Sequence, residues 1–162
     1  MPEEESHQKS LAMVVMSGDM DKLFGAFIIA TGAAAMGMEV TMFFTFWGLR
    51  AIKKNVSTGK TLFGKMLGIM YGGDISKAHP SKFSFGGMGR WMFGKMMGNH
   101  NVSKLTELRD LAVTLGVNMY GCAMSMEIME IPQESFIEGV KDPVGVGFFI
   151  MKAQEAEIQL FI

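Results

Sequence analysis

Apolar residues along the chain fall into short and long runs, and the two lengths predict different elements. Short runs rich in β-branched or aromatic residues predict buried strands. They occupy residues 11–16, 39–46, 117–120 and 158–162. Segments with helical spacing of apolar residues, or with helix-capping residues in front of them, predict helices. These are residues 20–36, 47–54, 104–115, 125–129, 132–138 and 143–156.

Residues suited to helix capping precede several of these segments. Asp19 or Asp21 is expected to cap the first helix, and Ser103 the helix that begins at Lys104. Asp142 followed by Pro143 places an N-cap residue and then a proline at the first position of the last helix.

Strands and helices alternate from one end of the chain to the other. This alternation predicts the α/β class, with a mostly parallel sheet covered by helices on both faces. In such sheets, sites lie at the carboxyl ends of the strands. Ser17, Gly18 and Asp19 follow the first predicted strand, and Cys122 follows the third. We therefore expect these residues at the same edge of the sheet.

The segment 23–38 contains sixteen residues without a charge and has two interpretations. A membrane-spanning helix requires about 20 apolar residues, and Glu39 falls where such a span would continue. Gly37 is typical of a helix end. We therefore prefer a buried helix followed by a strand.

Residues 53–104 differ from their flanks in charge. They carry nine basic side chains and one acidic side chain, Asp74, for a net charge of +8. Residues 1–52 and 105–162 carry −3 and −6. This contrast predicts an insertion, rich in glycine, methionine and lysine, at about residues 55–101.

Within the insertion, the pattern Phe-Gly-Lys-Met-x-Gly occurs at residues 63–68 and again at 93–98. Two copies are too few for a repeat architecture, and we interpret them as two short amphipathic arms. The insertion is either a partly ordered surface excursion or a flexible surface that adapts to a partner or lines the thiol.

The chain length of 162 residues suits one domain with its own core, at residues 11–162. A single cysteine excludes an internal disulfide, and no cysteine or histidine cluster has the spacing of a zinc site. We therefore expect a cytoplasmic location. Residues 1–10 are acidic, lack the features of a signal peptide and predict a disordered tail.

The segment 58–61, Thr-Gly-Lys-Thr, resembles the end of a phosphate-binding loop. The position five residues before Gly59 holds Lys54, however, where that motif requires glycine. The three histidines have no ligand-like spacing. We expect no cofactor, no metal ion and no nucleic-acid partner.

Cys122 lies between a predicted strand and a predicted short helix. Backbone N–H groups and the helix dipole at such a junction favour an anion, here a thiolate. A free thiol has a pKa near ~8.5, and a helix terminus contributes about 0.3–1 kcal/mol, less than about one pKa unit. A reactive Cys122 therefore requires a nearby cation as well. Four carboxylates around the following helix would instead raise its pKa: Glu127, Glu130, Glu134 and Glu138.

Two other interpretations of Cys122 stay open. Free cysteine is among the most frequently buried residues, so Cys122 could belong to the core. If the chain is extended here, Cys122, Met124 and Met126 share one face and form a soft ligand set for Cu(I). The helical pattern at 125–129 counts against the second interpretation.

Residues 122–129, Cys-Ala-Met-Ser-Met-Glu-Ile-Met, resemble the Cys-x-Met-Ser-Met-Asp-x-Met-Gly-Ile signature of the DsrE/DsrF-like family, in particular its methionine-rich branch. The resemblance continues at residues 11–19, 81–89, 131–140 and 160–162. Two positions depart from the family pattern. Glu127 stands for aspartate, and Glu130 stands for a glycine, which places a charged side chain in the turn after the signature.

The resemblance implies a three-layer α/β/α fold, a homo-oligomer and a role in sulfur relay. Cys122 would then carry a persulfide or thiosulfonate and exchange it with a TusA-type sulfur carrier or a rhodanese-like partner. From their charge, Arg90, Lys82 and Lys95 are candidates for binding an anionic sulfur donor. The turn of Ser17, Gly18 and Asp19 completes the set of candidate substrate-binding residues.

These observations give three functional hypotheses. The first is an intracellular sulfur-transfer protein that acts through Cys122. The second is a non-catalytic interaction protein whose basic insertion docks a protein partner or makes peripheral contact with a membrane surface. The third is a Cu(I)-binding protein.

Overall fold

The computed structural model describes residues 8–162. Most of the predicted acidic tail, residues 1–7, lies outside the described residues, and Ser10 is already the first residue of a strand. The four strands are β1 (Ser10–Val15), β2 (Glu39–Phe44), β3 (Asn118–Gly121) and β4 (Ile158–Phe161). The α-helices of the described residues are α1 (Met20–Ala35), α2 (Leu62–Met70), α3 (Met88–Asn99), α4 (Leu105–Thr114), α5 (Ala123–Ile128) and α6 (Val146–Glu155).

The four strands form one sheet in the order β3-β2-β1-β4, and every neighbouring pair is parallel. The register places Val15 beside Phe44 and Phe44 beside Gly121, so the strands end together at one edge. The predicted α/β class with a parallel sheet is confirmed. Cys122 and the residues after Val15 both follow the carboxyl ends of strands, as the sequence predicts.

Alternate residues of each strand face opposite sides of the sheet. Leu11, Met13 and Val15 belong to the larger core cluster, which includes residues of α1 and α4. Ala12 and Val14 face the other side, in a small cluster with Phe43, Cys122 and Phe149 of α6. Helices therefore cover both faces, and Cys122 lies on the side that α6 covers.

The uncharged segment 23–38 contains a buried helix, and the chain then enters β2. Helix α1 ends at Ala35, and Gly37 follows with a φ of +83°, the left-handed conformation that ends helices at glycine. In the described part of the chain, no helix is both long enough and apolar enough to cross a bilayer. The preferred interpretation of this segment is therefore confirmed.

The last helix begins at Val146, three residues after the predicted start at Pro143. The preceding segment is extended and lies beside β3, with parallel bridges from Val140 to Met119 and from Val144 to Cys122. Asp142 does not cap the helix, because its carboxylate accepts a hydrogen bond from Gln133 Nε2 at 2.7 Å. Pairing with the sheet thus overrides the local helix-start signal.

Several other predicted helices have different boundaries or geometry. Residues Phe46–Ile52 form a 3-10 helix, and the predicted helix at 132–138 is reduced to the 3-10 turn Gln133–Ser135. The residues that follow this turn pair with another segment, since Ile137 N–H donates to the carbonyl of Ile52 at 2.9 Å. They are therefore unable to continue the helix.

Two of the capping predictions are wrong in detail. Asp19 is the N-cap residue of α1, but its side chain makes no capping hydrogen bond. Asp21 instead accepts two hydrogen bonds from Ser81, which attach the insertion to α1. The N-cap of α4 is Lys104 instead of Ser103, and the Glu107 carboxylate accepts its backbone N–H at 3.0 Å.

The insertion contains α2 and α3, and each copy of the repeated pattern lies within one of these helices. Glu130 holds the start of α2. Its carboxylate accepts hydrogen bonds from the Lys60 N–H, from the Thr61 N–H at 2.8 Å and from the Thr61 hydroxyl at 2.6 Å. The residue that departs from the family pattern therefore attaches the insertion to the segment after Cys122. Glu130 has a φ of +52°, the left-handed conformation that glycine adopts most readily.

The Glu130 contact predicts a pH dependence. Hydrogen bonds from the Thr61 hydroxyl and from the Thr61 and Lys60 N–H groups hold the pKa of Glu130 below its ordinary value. A carboxyl with a depressed pKa stabilises the fold above its unfolded pKa, near ~4.3 for Glu, and this contribution is lost as the pH falls through the folded pKa. Glu130→Gln should therefore lower the melting temperature at pH 7, and the difference from wild type should shrink at acidic pH.

Hydrogen exchange of the first-turn amides of α2 measures the same contact locally. Exchange at neutral pH should be faster in Glu130→Gln than in wild type. Glu127→Gln is the matched control, because Glu127 is exposed on the neighbouring helix. Equal exchange in all three proteins would show that the contact does not order α2.

Candidate functional site

Cys122 is the residue between β3 and α5 and is the N-cap residue of that helix. Its backbone N–H donates to the Phe44 carbonyl at 2.8 Å, which continues the pairing of β3 with β2. The next residue, Ala123, donates its N–H to the Val144 carbonyl at 3.0 Å. Two neighbouring segments therefore fix the backbone on both sides of the thiol.

Two buried hydroxyls accompany the thiol. Thr45 follows β2, Ser125 lies in the first turn of α5, and their side-chain oxygens are 2.7 Å apart. Burial of the sulfur by itself raises the pKa of Cys122. Four hydrogen-bonding groups have a larger combined effect in the opposite direction, so the pKa of Cys122 is lowered. They are the Ser125 hydroxyl, the Ser125 N–H, the Thr45 hydroxyl and the Met124 N–H. The Sγ atom nevertheless makes no regular helix-capping hydrogen bond.

Among residues 8–162, the expected cation is not one of the principal groups that set the pKa of Cys122. The principal groups that set the pKa of Cys122 are hydroxyls and backbone N–H groups, and none of them is a lysine or arginine. The hydroxyls and the helix N–H groups thus supply the stabilisation that we assigned to a cation. The four carboxylates are also absent from these groups, and Glu130 is directed toward α2.

Cys122 is only 4 % exposed and packs in the small cluster with Phe43 and Phe149. The interpretation that Cys122 belongs to the core is therefore correct about the burial of its side chain. Two buried hydroxyls beside the sulfur are nevertheless unusual in a purely apolar core, because buried polar groups require hydrogen-bond partners. The arrangement combines restricted access with stabilisation of the thiolate.

The turn of Ser17, Gly18 and Asp19 lies at the same edge of the sheet, separated from Cys122 by β2. Ser17 and Asp19 line an open cavity of about 690 Å³ with Trp47 and the end of β4, and Cys122 does not line this cavity. Gly18 is required by its surroundings, because an added Cβ would lie 2.6 Å from the Trp47 backbone carbonyl oxygen. A role for this turn in binding substrate stays a prediction.

Arg90 and Lys95 line a different cavity, of about 760 Å³, between α3 and the start of α4, and Cys122 does not line this one either. Lys95 lies 5.4 Å from the centre of the Trp91 ring, and Lys82 is exposed on the loop before α3. The structure therefore groups Arg90 with Lys95 but does not bring either to the thiol of the same chain. Their predicted role in binding a sulfur donor stays a prediction.

The extended geometry of the Cu(I) hypothesis does not form. Residues Ala123–Ile128 are helical, so Met124 and Met126 do not share a strand face with Cys122. Met126 is buried in the larger core cluster, whereas Met124 is 58 % exposed. The two thioethers therefore have different surroundings.

Sequence reasoning missed Thr45 and the role of Ser125. Ser125 lies three residues after Cys122, and its place in the first turn of a short helix is a signal that the sequence contains. Thr45 is 80 residues away from Ser125 along the chain and reaches it only because β2 pairs with β3. No local pattern indicates that contact.

The fold and this site define a class of α/β proteins. In this class, a single cysteine lies at the carboxyl edge of a parallel sheet, and hydroxyl and N–H groups surround its sulfur. Two relatives match almost the full length of the chain. It is 37 % identical to the uncharacterized protein YrkE of Bacillus subtilis, covering 95 % of this chain and 97 % of that protein. It is 33 % identical to the sulfur carrier protein DsrE2 of Allochromatium vinosum, covering 96 % and 99 %.

The fold is also similar to a solved structure, the YchN protein of E. coli, with a TM-score of 0.55 at 9 % sequence identity, covering 96 % of this chain and all of that one. The DsrE/DsrF/DrsH-like family model matches residues 7–161. The chain therefore belongs to the DsrE/DsrF/DrsH-like family. The resemblance inferred from the cysteine signature is confirmed.

The hydroxyl contact predicts how Cys122 ionises. In wild type, the rate of alkylation by iodoacetamide should rise with a midpoint below the ordinary thiol pKa of ~8.5. Ser125→Ala removes the hydroxyl that lowers the pKa of Cys122, so its midpoint should shift to higher pH. An upward shift of one unit would reduce the rate at neutral pH by about tenfold.

Ser135→Ala is the control, because Ser135 is a buried serine that bonds locally to the Pro132 carbonyl at 2.6 Å. Its midpoint should equal that of wild type. A wild-type midpoint at or above the ordinary thiol value, or no shift in Ser125→Ala, would contradict the stabilisation of the thiolate.

Proposed function

We propose that this protein is a sulfur carrier that holds a persulfide or thiosulfonate on Cys122. The observation that carries the proposal is the position of the single cysteine at the junction of β3 and α5, with a lowered pKa caused by hydroxyl and N–H groups. The thiolate is the form that attacks sulfur, so a lowered pKa favours this chemistry at neutral pH. Family membership and the 33 % identity to a protein named as a sulfur carrier also support it.

The chemical step is the attack of the Cys122 thiolate on a sulfane sulfur. With thiosulfate, a new S–S bond forms to Cys122, the S–S bond of the donor breaks, and sulfite leaves with the electron pair. With tetrathionate, attack on an inner sulfur leaves a thiosulfonate on Cys122 and releases thiosulfate. A second thiol then takes the outer sulfur from Cys122 by the same exchange, and the Cys122 thiolate is regenerated.

Access to the sulfur is part of the proposal, because Cys122 is only 4 % exposed. The segment around Val144 lies beside it, held by the hydrogen bonds Val144 N–H to Gly121 O and Ala123 N–H to Val144 O, both 3.0 Å. Val144 also packs against the cluster that contains Cys122. Thermal displacement of this segment would open a path to the thiol for a small sulfur donor.

The partner in the proposal is a small sulfur carrier of the TusA type or a rhodanese-like donor. We also propose a homo-oligomer and a cytoplasmic location, in which a reduced thiol persists.

Mass spectrometry of the intact protein tests the proposal. Incubation with thiosulfate, tetrathionate or polysulfide should add the mass of a sulfur atom or of a thiosulfonate group to wild type. Cys122→Ser should gain nothing, and the assignment is direct because the chain has one cysteine. A wild-type protein that stays unmodified with all three donors would contradict the function.

A second candidate function is docking to an anionic membrane surface through the insertion. Apolar side chains of residues 62–91 are more than three-fifths exposed: Leu62, Phe63, Ile69, Met70, Phe83, Phe85, Met88 and Trp91. Residues 53–104 also carry a net charge of +8. Exposed apolar residues on a basic background are typical of peripheral membrane contact.

Co-sedimentation with phosphatidylglycerol vesicles tests this second candidate. Wild type and Cys122→Ser should pellet equally at low salt, and less at high salt, because the attraction is electrostatic. Phe63→Ser should reduce pelleting, whereas Ile128→Ser, an exposed apolar position outside the insertion, should not. The absence of pelleting at low salt would exclude this function.

A further inference from the structure

Two basic side chains are buried beneath the insertion. Arg50 is 6 % exposed and Lys53 is 3 % exposed. Arg50 lies in the 3-10 helix Phe46–Ile52, and Lys53 is its C-cap residue. Side chains three residues apart lie on the same side of a 3-10 helix. The local structure therefore places two positive charges together in the interior of the protein.

The guanidinium of Arg50 is only partly satisfied. Its Nη2 donates to the Tyr71 carbonyl at 3.1 Å, and its central carbon lies 3.7 Å from the centre of the Tyr71 ring. Its Nε atom is buried without a hydrogen-bond partner among the described residues. Such an orphan donor is costly, because it has lost its hydration and gained nothing in return.

Neither cation forms an ion pair with an acidic side chain of the described residues. The ion pairs within residues 8–162 involve other residues, and none includes Arg50 or Lys53. Asp19 and Asp74 attract Arg50, and Asp74 attracts Lys53, without forming an ion pair with them. Burial, followed by repulsion from Arg50, lowers the pKa of Lys53. The pair is therefore a concentration of buried positive charge without a direct ion pair, which a fold tolerates poorly.

Both side chains line one small cavity of about 20 Å³, which is room for a single water-sized ion. Helix α2 covers it through Leu67 and Gly68, and Met129, the residue after α5, also lines it. No aspartate or glutamate of the described residues lines it. Its walls are thus basic on one side and mostly apolar elsewhere, which is a setting that strengthens the attraction of an anion.

We propose that Arg50 and Lys53 bind one small inorganic anion in this cavity. The Arg50 Nε–H and the Lys53 ammonium group would donate hydrogen bonds to it, and α2 would cover it. The anion would offset the repulsion between the two cations and join the insertion to the sheet. This site is separate from the Cys122 chemistry, and it does not depend on the proposed sulfur transfer.

Thermal unfolding at constant ionic strength tests the site. Sodium gluconate, whose anion is too large for the cavity, is replaced stepwise by sodium bromide. A ligand that binds only the folded state raises the melting temperature in a saturable way. We expect this for wild type with bromide, the one monatomic anion in the series.

Two charge-matched variants locate the effect. Lys53→Met should weaken the apparent affinity by about tenfold or more, because it removes a hydrogen bond from a charged group. Lys65→Met, on the exposed face of α2, should behave as wild type. Equal responses in all three proteins, or no saturable response in wild type, would overturn the proposal.

Two further measurements keep the outcome clear if Lys53→Met does not fold. In a bromide-soaked crystal of wild type, an anomalous peak between Arg50 and Lys53 would support the site, and its absence would refute it. Cys122→Ser should retain the anion response. If the anion response is retained but the wild-type thiol stays unmodified by all three sulfur donors, the sulfur-carrier function is refuted and the anion site is supported.

Discussion

The hydrogen bond from the Cys122 N–H to the Phe44 carbonyl, 2.8 Å long, is the contact on which the site depends. It continues the parallel pairing of β2 and β3 by one residue beyond the strands and so places Thr45 level with the start of α5. The Thr45 and Ser125 hydroxyls then meet at 2.7 Å beside the thiol. A slip of one residue in this pairing would turn the alternate side chains to the other face of the sheet and separate these groups.

Burial and stabilisation of the anion act against each other at Cys122. Removal of the sulfur from water disfavours the thiolate, whereas nearby hydroxyl and N–H groups favour it. The second effect is larger here, and it requires no buried counterion. The proposed carrier function would benefit from this combination, because a persulfide that is shielded from solvent thiols is not lost before it meets an acceptor.

The insertion is joined to the domain by polar contacts near its start and in its middle, and α2 covers the basic cavity. Glu130 holds the start of α2, Asp21 holds Ser81, and Arg50 donates to the Tyr71 carbonyl at the end of α2. Most of the large apolar side chains of α2 and α3 face outward. The same segment that covers the Arg50 and Lys53 cavity therefore presents an exposed apolar surface.

The sequence by itself determined the number of strands, their parallel arrangement, the end of α1 and the position of Cys122 between strand and helix, because each depends on short-range patterns of apolar residues and glycine. It also determined the family through the cysteine signature. Tertiary structure decided what no local pattern contains: the delayed start of α6, where pairing of Val144 with Cys122 overrides Asp142 and Pro143, and the meeting of Thr45 with Ser125. Tertiary structure also decided the burial of Arg50 and Lys53, because these charged side chains are buried only when distant segments cover them.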